Sequence, residues 1–267
     1  MIPVAVLLGL CEGSAMVADP AQPDTVLIAD NEREDRLFRF TLDGVPLAGM
    51  EGVGLGEVLL GTPVEDIEAL ASDATNVWVV GSQSRSKSGE ERSERQRIVQ
   101  VHGEQSSVWT IDWKGCEVCS AEGFEASRNV EGATVWGAHL WLGLRAPLVE
   151  GRALLVQLTP TTSNVLSVTA SYAIDLGGLG IVDLAVRPGG DDVLYILGGA
   201  SVGKAPGAVF ELQGPQSTPQ RRTTSVPEDA EGLVVLASGG ARLITDGAAG
   251  KDDVCKTTST LYRSDKL

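Results

Sequence analysis

Basic residues are scarce in this chain: 21 Lys and Arg stand against 36 Asp and Glu, for a formal net charge of −15. That balance opposes binding to nucleic acid or to anionic membrane, both of which depend on basic patches, and it favours cations instead. Histidine is rarer still, with only His102 and His139. The first ends a strand and the second falls in a turn, so neither a Ser-His-Asp arrangement nor a histidine-based zinc site is expected. No apolar run reaches the roughly 18 residues of a membrane span. The i, i+3, i+4, i+7 stripes of long helices are missing too. There are 4 cysteines. Cys116 and Cys119 form a CxxC in a long loop, and Cys11 and Cys255 map to one rim of the fold described below. Ordinary reduced thiols are the expected state. A metal-binding or redox CxxC, and a disulfide joining Cys11 to Cys255, are the alternatives.

What is plentiful is glycine, 32 residues, with 12 prolines and 43% hydrophobic content over 267 residues, the composition of a turn-rich β protein with enough chain to bury a large core. The opening MIPVAVLLGLCEGSAMVA imitates a secretory signal with a lipobox-like LLGLC. It has no early Lys or Arg, and Leu10 stands where a small residue should precede the cysteine, so a structural strand is the preferred reading.

One hairpin recurs along the chain. CEGSAMVADP with DTVLIADNE, IEALASDA with NVWVVGSQS, VEGATVWG with AHLWLGLR, IVDLAVRPGG with DVLYILGG, and AEGLVVLASGG with ARLITDG share a plan. An acid leads a strand of small and apolar residues, a turn follows on Gly, Asp or Asn, and an alternating apolar strand returns. The leading acids are Glu12, Glu68, Glu131, Asp183 and Glu231, about 50 to 60 residues apart, near the period of propeller blades. Third strands follow as RLFRFTL, RIVQVH, ALLVQL, AVFEL and TLYR, and fourth strands as SVWTIDW, SVTASYAID and QRRTTSV. The first unit's fourth strand is expected within VPLAGMEGV.

The last unit has no fourth strand, whereas the first has a spare one at 3–8. Pairing the two would close a ring and protect both sheet edges. The expectation is an all-β fold, a five-bladed β-propeller of four-stranded blades forming one domain over 1–267, with the N-terminal strand closing the last blade. Six blades are disfavoured because loops at 85–97 and 114–128 account for the widest spacings. The 85–97 loop reads as a solvated hairpin tip.

CEGSA with IADNE, DIEALA with GSQSR, LWLGLRAPLVEGRALLVQL, GIVDLAV with LYILGG, and AEGLVVL with TDG resemble an uncharacterised bacterial β-propeller family classed as a domain of unknown function. That family is distantly similar to phytase-like and lactonase-like propellers. Arg145, Pro147, Gly151 and Arg152 match its pattern, whereas Glu12 stands where the family is expected to have Asp, and Gln83 where it has His. The resemblance implies a fold and no established activity.

In a propeller the first strand of each blade lines the channel and the second runs back beside it, so its end returns to the starting level. The five acids should therefore share one rim with Asp30, Asn31, Gln83, Arg85, Arg145 and Asp246. Two carboxylates ~6 Å apart repel by roughly 3 kcal/mol at an effective dielectric near 20, so the ring must be neutralised. One solution is Ca²⁺ held by Glu12, Glu68, Glu131, Asp183 and Glu231, since a loose ring of oxygens suits it better than Mg²⁺. A second is pairing of Arg85 and Arg145 with Glu68 and Glu131. A third is a carboxyl that keeps its proton and serves as a general acid. Against all three stands a structural role, with the acids accepting backbone N–H bonds from the next blade.

The expected function is a propeller whose acidic mouth holds calcium and binds a small anionic or ester substrate through Arg85, Arg145, Asp30 and Asp246, with hydrolysis as the further step. The alternative is a non-catalytic platform for a peptide or protein. A cytoplasmic location is expected, with secretion as the alternative.

Overall fold

The structure is a computed structural model that describes residues 1–7, 10–47, 56–161, 163–189, 193–203, 206–223, 226–249 and 255–267, with backbone alone for 248, 249 and 255. A strand β1 (Ile2–Val6) precedes a series of antiparallel sheets. The first sheet is β2 (Gly13–Ala18), β3 (Thr25–Asp30), β4 (Arg36–Thr41) and β5 (Glu57–Leu59), paired in that order. The second run is β6 (Ile67–Ser72), β7 (Val77–Gly81), β8 (Ile98–His102) and β9 (Gln105–Asp112). The third is β10 (Asn129–Trp136), β11 (His139–Val149), β12 (Arg152–Pro160) and β13 (Val165–Ile174). These two runs fuse into one sheet where β9 and β13 pair in parallel. Then come β14 (Gly180–Val186), β15 (Leu194–Gly199), β16 (Ala208–Leu212) and β17 (Gln220–Thr223). Last are β18 (Ala230–Val235), β19 (Ala241–Thr245), a short hairpin of β20 (Ala248–Ala249) and β21 (Cys255–Thr257), and β22 (Thr260–Ser264).

The leading strands touch in a cycle, β2 on β6, β6 on β10, β10 on β14, β14 on β18, and β18 on β2. Sheets set radially around such a cycle make a β-propeller. A wedge of apolar side chains fills the space between each sheet and the next. Leu27, Leu37, Leu70 and Val79 lie between the first and second runs, and Leu142, Leu154, Ile98 and Val80 between the second and third. Near the axis the sheets crowd, which explains the small residues of the leading strands and of the strands beside them. A Cβ on Gly143 would overlap Ile181 of the next sheet, and one on Gly132 would meet the same side chain.

The ring closes as the spare strand suggested. β1 pairs antiparallel with β22, Ile2 opposite Arg263 and Val6 opposite Thr260. Pro3, which has no N–H to give, is tolerated because β1 is the outermost strand of its sheet. The chain then turns inward. Leu7 and Leu10 are fully buried between the last sheet and the first, and the Leu7 N–H donates to the Ser259 carbonyl at 2.9 Å.

Three expectations are corrected. The first sheet's fourth strand is β5, which pairs with Arg36–Phe38. Of VPLAGMEGV, Pro46 forms only an isolated bridge to Phe40, and 48–53 lie outside the described residues. The 85–97 loop is no free hairpin tip, because Arg95 pairs with Glu65 and Asp66, both at 3.0 Å, and Arg92 with Glu65 at 3.1 Å. The thiols are not reduced: Cys116 and Cys119 form a disulfide, and Cys11 is disulfide-bonded. The side chain of Cys255, its partner in the sequence reading, lies outside the described residues.

Removing residues 1–6 should expose the outer edge of β22 and cause aggregation or loss of a single cooperative unfolding transition. Light scattering and thermal melts check this; an equally soluble and stable truncation would show that β1 contributes nothing to closure.

A candidate ligand site at the acidic channel mouth

Every leading strand has one residue that its pairing with the neighbouring strand skips. The pairing skips Ser14 in β2, Glu68 in β6, Glu131 in β10, Val182 in β14 and Glu231 in β18. Such a bulge leaves one residue unpaired and re-aims its side chain. These are the equivalent positions of the sheets, and three of the five sequence-predicted acids occupy them. Glu12 lies two residues ahead of Ser14 and Asp183 one residue after Val182. Side chains alternate along a strand, so a shift of one residue turns Asp183 to the other face.

Asp183 accordingly plays a structural part. It is fully buried; its Oδ1 accepts the Leu184 N–H at 2.7 Å and its Oδ2 the Leu233 N–H at 2.6 Å, tying β14 to β18. Burial holds its pKa well above the usual carboxylate range despite those bonds. Asp30 is a second buried acceptor, taking the N–H of Cys11 at 2.9 Å and of Glu32 at 3.0 Å. Asp246 is pushed up to about 6, by burial first and then by repulsion from Glu12, Asp229 and Asp30. Glu12, Asp30 and Asp246 thus form one acidic group beside the axis.

The other group is centred on Arg145 of β11. Its Nη1 donates to both oxygens of Glu131, at 3.0 and 2.9 Å, and lies 3.7 Å from Glu231. Its Nε donates to the Ala200 carbonyl at 2.7 Å, which anchors the guanidinium to the next sheet. Val182 occupies the bulge position between those of Glu131 and Glu231, and this uncharged side chain leaves room for Arg145 to span the two. Asn129 adds a bond of 2.7 Å to Glu131, and the Asn31 amide donates to Glu68 at 3.2 Å.

One guanidinium cannot neutralise three carboxylates. Burial raises Glu131 to about 7 even though Arg145 and Asn129 pull it down. Glu231 is raised to about 8, by burial and then by Glu131. Glu68 is driven well above the usual range by burial and by the charges of Glu131, Asp66 and Glu231. Glu131, nearest the guanidinium, is raised less than Glu231, and burial keeps the proton affinity of Glu68 and Glu231 high. The Arg145 charge is reinforced: burial works against it, but Glu131, Glu231 and Glu68 outweigh burial.

Two predicted residues are not at this centre. Arg85 does not reach Glu68; it pairs with Glu125 at 2.6 Å and bonds the Gly89 carbonyl at 3.2 Å. Gln83 is buried, with its amide on the Arg95 carbonyl at 3.2 Å. Conversely, sequence reasoning missed Ser14 and Asn129. Asn129 precedes Glu131 by two residues, a same-face spacing that was there to be read. The Ser14 hydroxyl and the Asn31 Oδ1 are buried with no hydrogen-bond partner among the described residues.

A cavity of about 340 Å³ adjoins the cluster, lined by Arg145, Val182, Asp229, Glu231 and Asp246 among others. A larger one, about 900 Å³, is lined by the opposite ends of the leading strands, including Ala18, Ser72, Val135, Val186 and Val235, and none of the acidic cluster reaches it. Among the described residues no three His, Cys, Asp or Glu side chains converge closely enough to hold a metal ion, and no helix is long and apolar enough to cross a membrane.

Because the folded state raises the pKa of Glu231 from 4.5 to about 8 and of Glu131 to about 7, these groups contribute stability below pH ~4.5 that is lost as pH rises toward 8. Glu231→Gln should flatten that decline, since the amide cannot ionise. Urea unfolding at pH 5, 6.5 and 8 tests this, and an unchanged slope would mean that Glu231 is already ionised in the folded protein.

Residues 120–250 match the family described as Protein of unknown function (DUF3616), so the resemblance read from the sequence holds over that stretch. No curated protein matches the chain. Among solved structures it is similar to a glucose dehydrogenase at 14% identity, with a TM-score of 0.51 over 97% of this chain and 98% of that one. The WD40 repeats of RRP9 align at 8% identity with a TM-score of 0.46, covering 98% of each chain. The first likeness supports the propeller architecture and, at 14% identity, nothing beyond it.

Proposed function

We propose that the chain is a five-bladed propeller whose acidic mouth binds a small molecule with an anionic or ester group and hydrolyses the ester. The observation that carries this reading is one cavity lined by Arg145, Glu231 and Asp246. In it a fixed cation faces two carboxyls whose pKa values, about 8 and about 6, lie on either side of neutrality. Such a split assigns an acid and a base. Arg145 has Nε and Nη1 engaged, and the proposal gives its Nη2 to the ligand's carbonyl or anionic oxygen. Ionised Asp246 takes a proton from the attacking water, and protonated Glu231 gives one to the departing alcohol. Val182, with Gly199 and Ala200, forms the apolar wall on which the rest of the ligand would rest.

A panel of simple esters and lactones tests the reading. Activity should follow a bell-shaped pH profile with limbs near 6 and 8, set by Asp246 and Glu231. Glu231→Gln should lower the rate by ~10²-fold or more, the usual contribution of a general acid, and remove the alkaline limb. Turnover that survives Glu231→Gln with the same profile would sink the proposal, as would absence of turnover across the panel.

Calcium, if it binds here, must compete with Arg145 for Glu131, so the proposal assigns charge balance to the guanidinium together with carboxyls whose proton affinity burial raises. Saturating Ca²⁺ should then leave the unfolding midpoint where it was. A stabilisation of ~2.7 kcal/mol at 100 times the dissociation constant, reversed by a chelator, would return the site to the metal reading.

A further inference from the structure

We infer that the Cys116–Cys119 bridge is a thiol–disulfide exchange site, opened by a dithiol that attacks Cys119. The two cysteines are three residues apart. A ring that short takes less entropy from the unfolded chain than a long loop would, so stabilisation alone is a weak reason for the bond. The cysteines differ in access. Cys116 is fully buried in the core cluster of the second and third runs, whereas Cys119 is only partly buried and packs against that cluster. An incoming thiolate can therefore meet the Cys119 sulfur and not the other.

The surrounding loop is held by contacts that do not involve the bridge. Gly115 lies so close under the Val168 carbonyl that a Cβ there would overlap it. Arg128 lies over the Trp113 ring at 4.6 Å, donates to the Gln83 carbonyl at 3.0 Å and reaches Gln96 at 2.9 Å. The bridge can open without unfolding the segment that carries it, as reversible exchange requires.

The chemistry balances. The attacking thiolate bonds to the Cys119 sulfur as the Cys116–Cys119 bond breaks, and Cys116 leaves as a thiolate that takes up a proton. The second thiol of the reductant then attacks the mixed disulfide, releasing Cys119 and closing the reductant's own disulfide. Two electrons and two protons pass to the protein. A monothiol fares worse, because the freed Cys116 lies beside the mixed disulfide and expels it.

The native protein should be treated with dithiothreitol or with glutathione, quenched in acid, then unfolded and alkylated, and its peptides weighed. Dithiothreitol should yield alkylated Cys116 and Cys119 at concentrations where glutathione does not, with the thermal midpoint little changed. In a second arm, Cys119 left free by Cys116→Ser should form a mixed disulfide with oxidised glutathione on the order of tenfold faster than Cys116 left free by Cys119→Ser, following access. A bridge that resists dithiothreitol until denaturant is added would overturn the inference. So would equal rates in the two variants.

Discussion

The molecule depends on a single antiparallel pairing between its two ends. A radial arrangement of sheets has no hydrophobic centre of its own; each wedge of core exists because a neighbouring sheet covers it. Without β1 on β22 the last sheet would carry an open edge, and the wedge holding Leu7, Leu10, Met16 and Phe40 would lose one wall. Because the ring is closed, the leading strands cannot slide apart, and their bulge residues are held at one height. The acidic mouth is thus a consequence of closure, since carboxyl groups that repel one another stay together only if the backbone leaves them no alternative.

Much of the fold was legible because a repeat of hairpins states its architecture several times over, so that an ambiguous copy is corrected by the others. The spare N-terminal strand was readable by counting strands. The site was harder. A strand's side chains alternate with period two, and a bulge consumes one residue without any sign in composition, so the spacing of the acids does not reveal that Ser14 and Val182, not Glu12 and Asp183, hold the bulge positions of their strands. Asp183 is the instructive case: one residue of register converts a supposed ligand into an acceptor for the Leu233 N–H. Arg85 escaped because its partner, Glu125, lies forty residues on in a different loop. Arg145 was found because it stands in the strand directly beside its acid.

Burial, more than charge pairing, sets the chemistry of the mouth. In Glu131, Glu231 and Asp246 removal from water is the largest influence on proton affinity, and the Arg145 guanidinium only moderates it in the two glutamates. The cluster therefore holds protons more tightly than an exposed patch of the same composition would. That raised proton affinity is reached without histidine, a residue this chain uses only twice.

The bulge positions are equivalent in backbone but not in chemistry: three carry carboxyls, one a hydroxyl, and one the side chain of Val182. A ring of identical residues would present an axially symmetric field, and a guest on the axis could turn freely within it. Here the potential is lopsided, with the apolar Val182 sector beside Arg145 and, elsewhere on the ring, the Ser14 hydroxyl, which has no hydrogen-bond partner among the described residues. Any polar molecule entering the mouth meets a compass rather than a drain, and has one rotational setting of lowest energy.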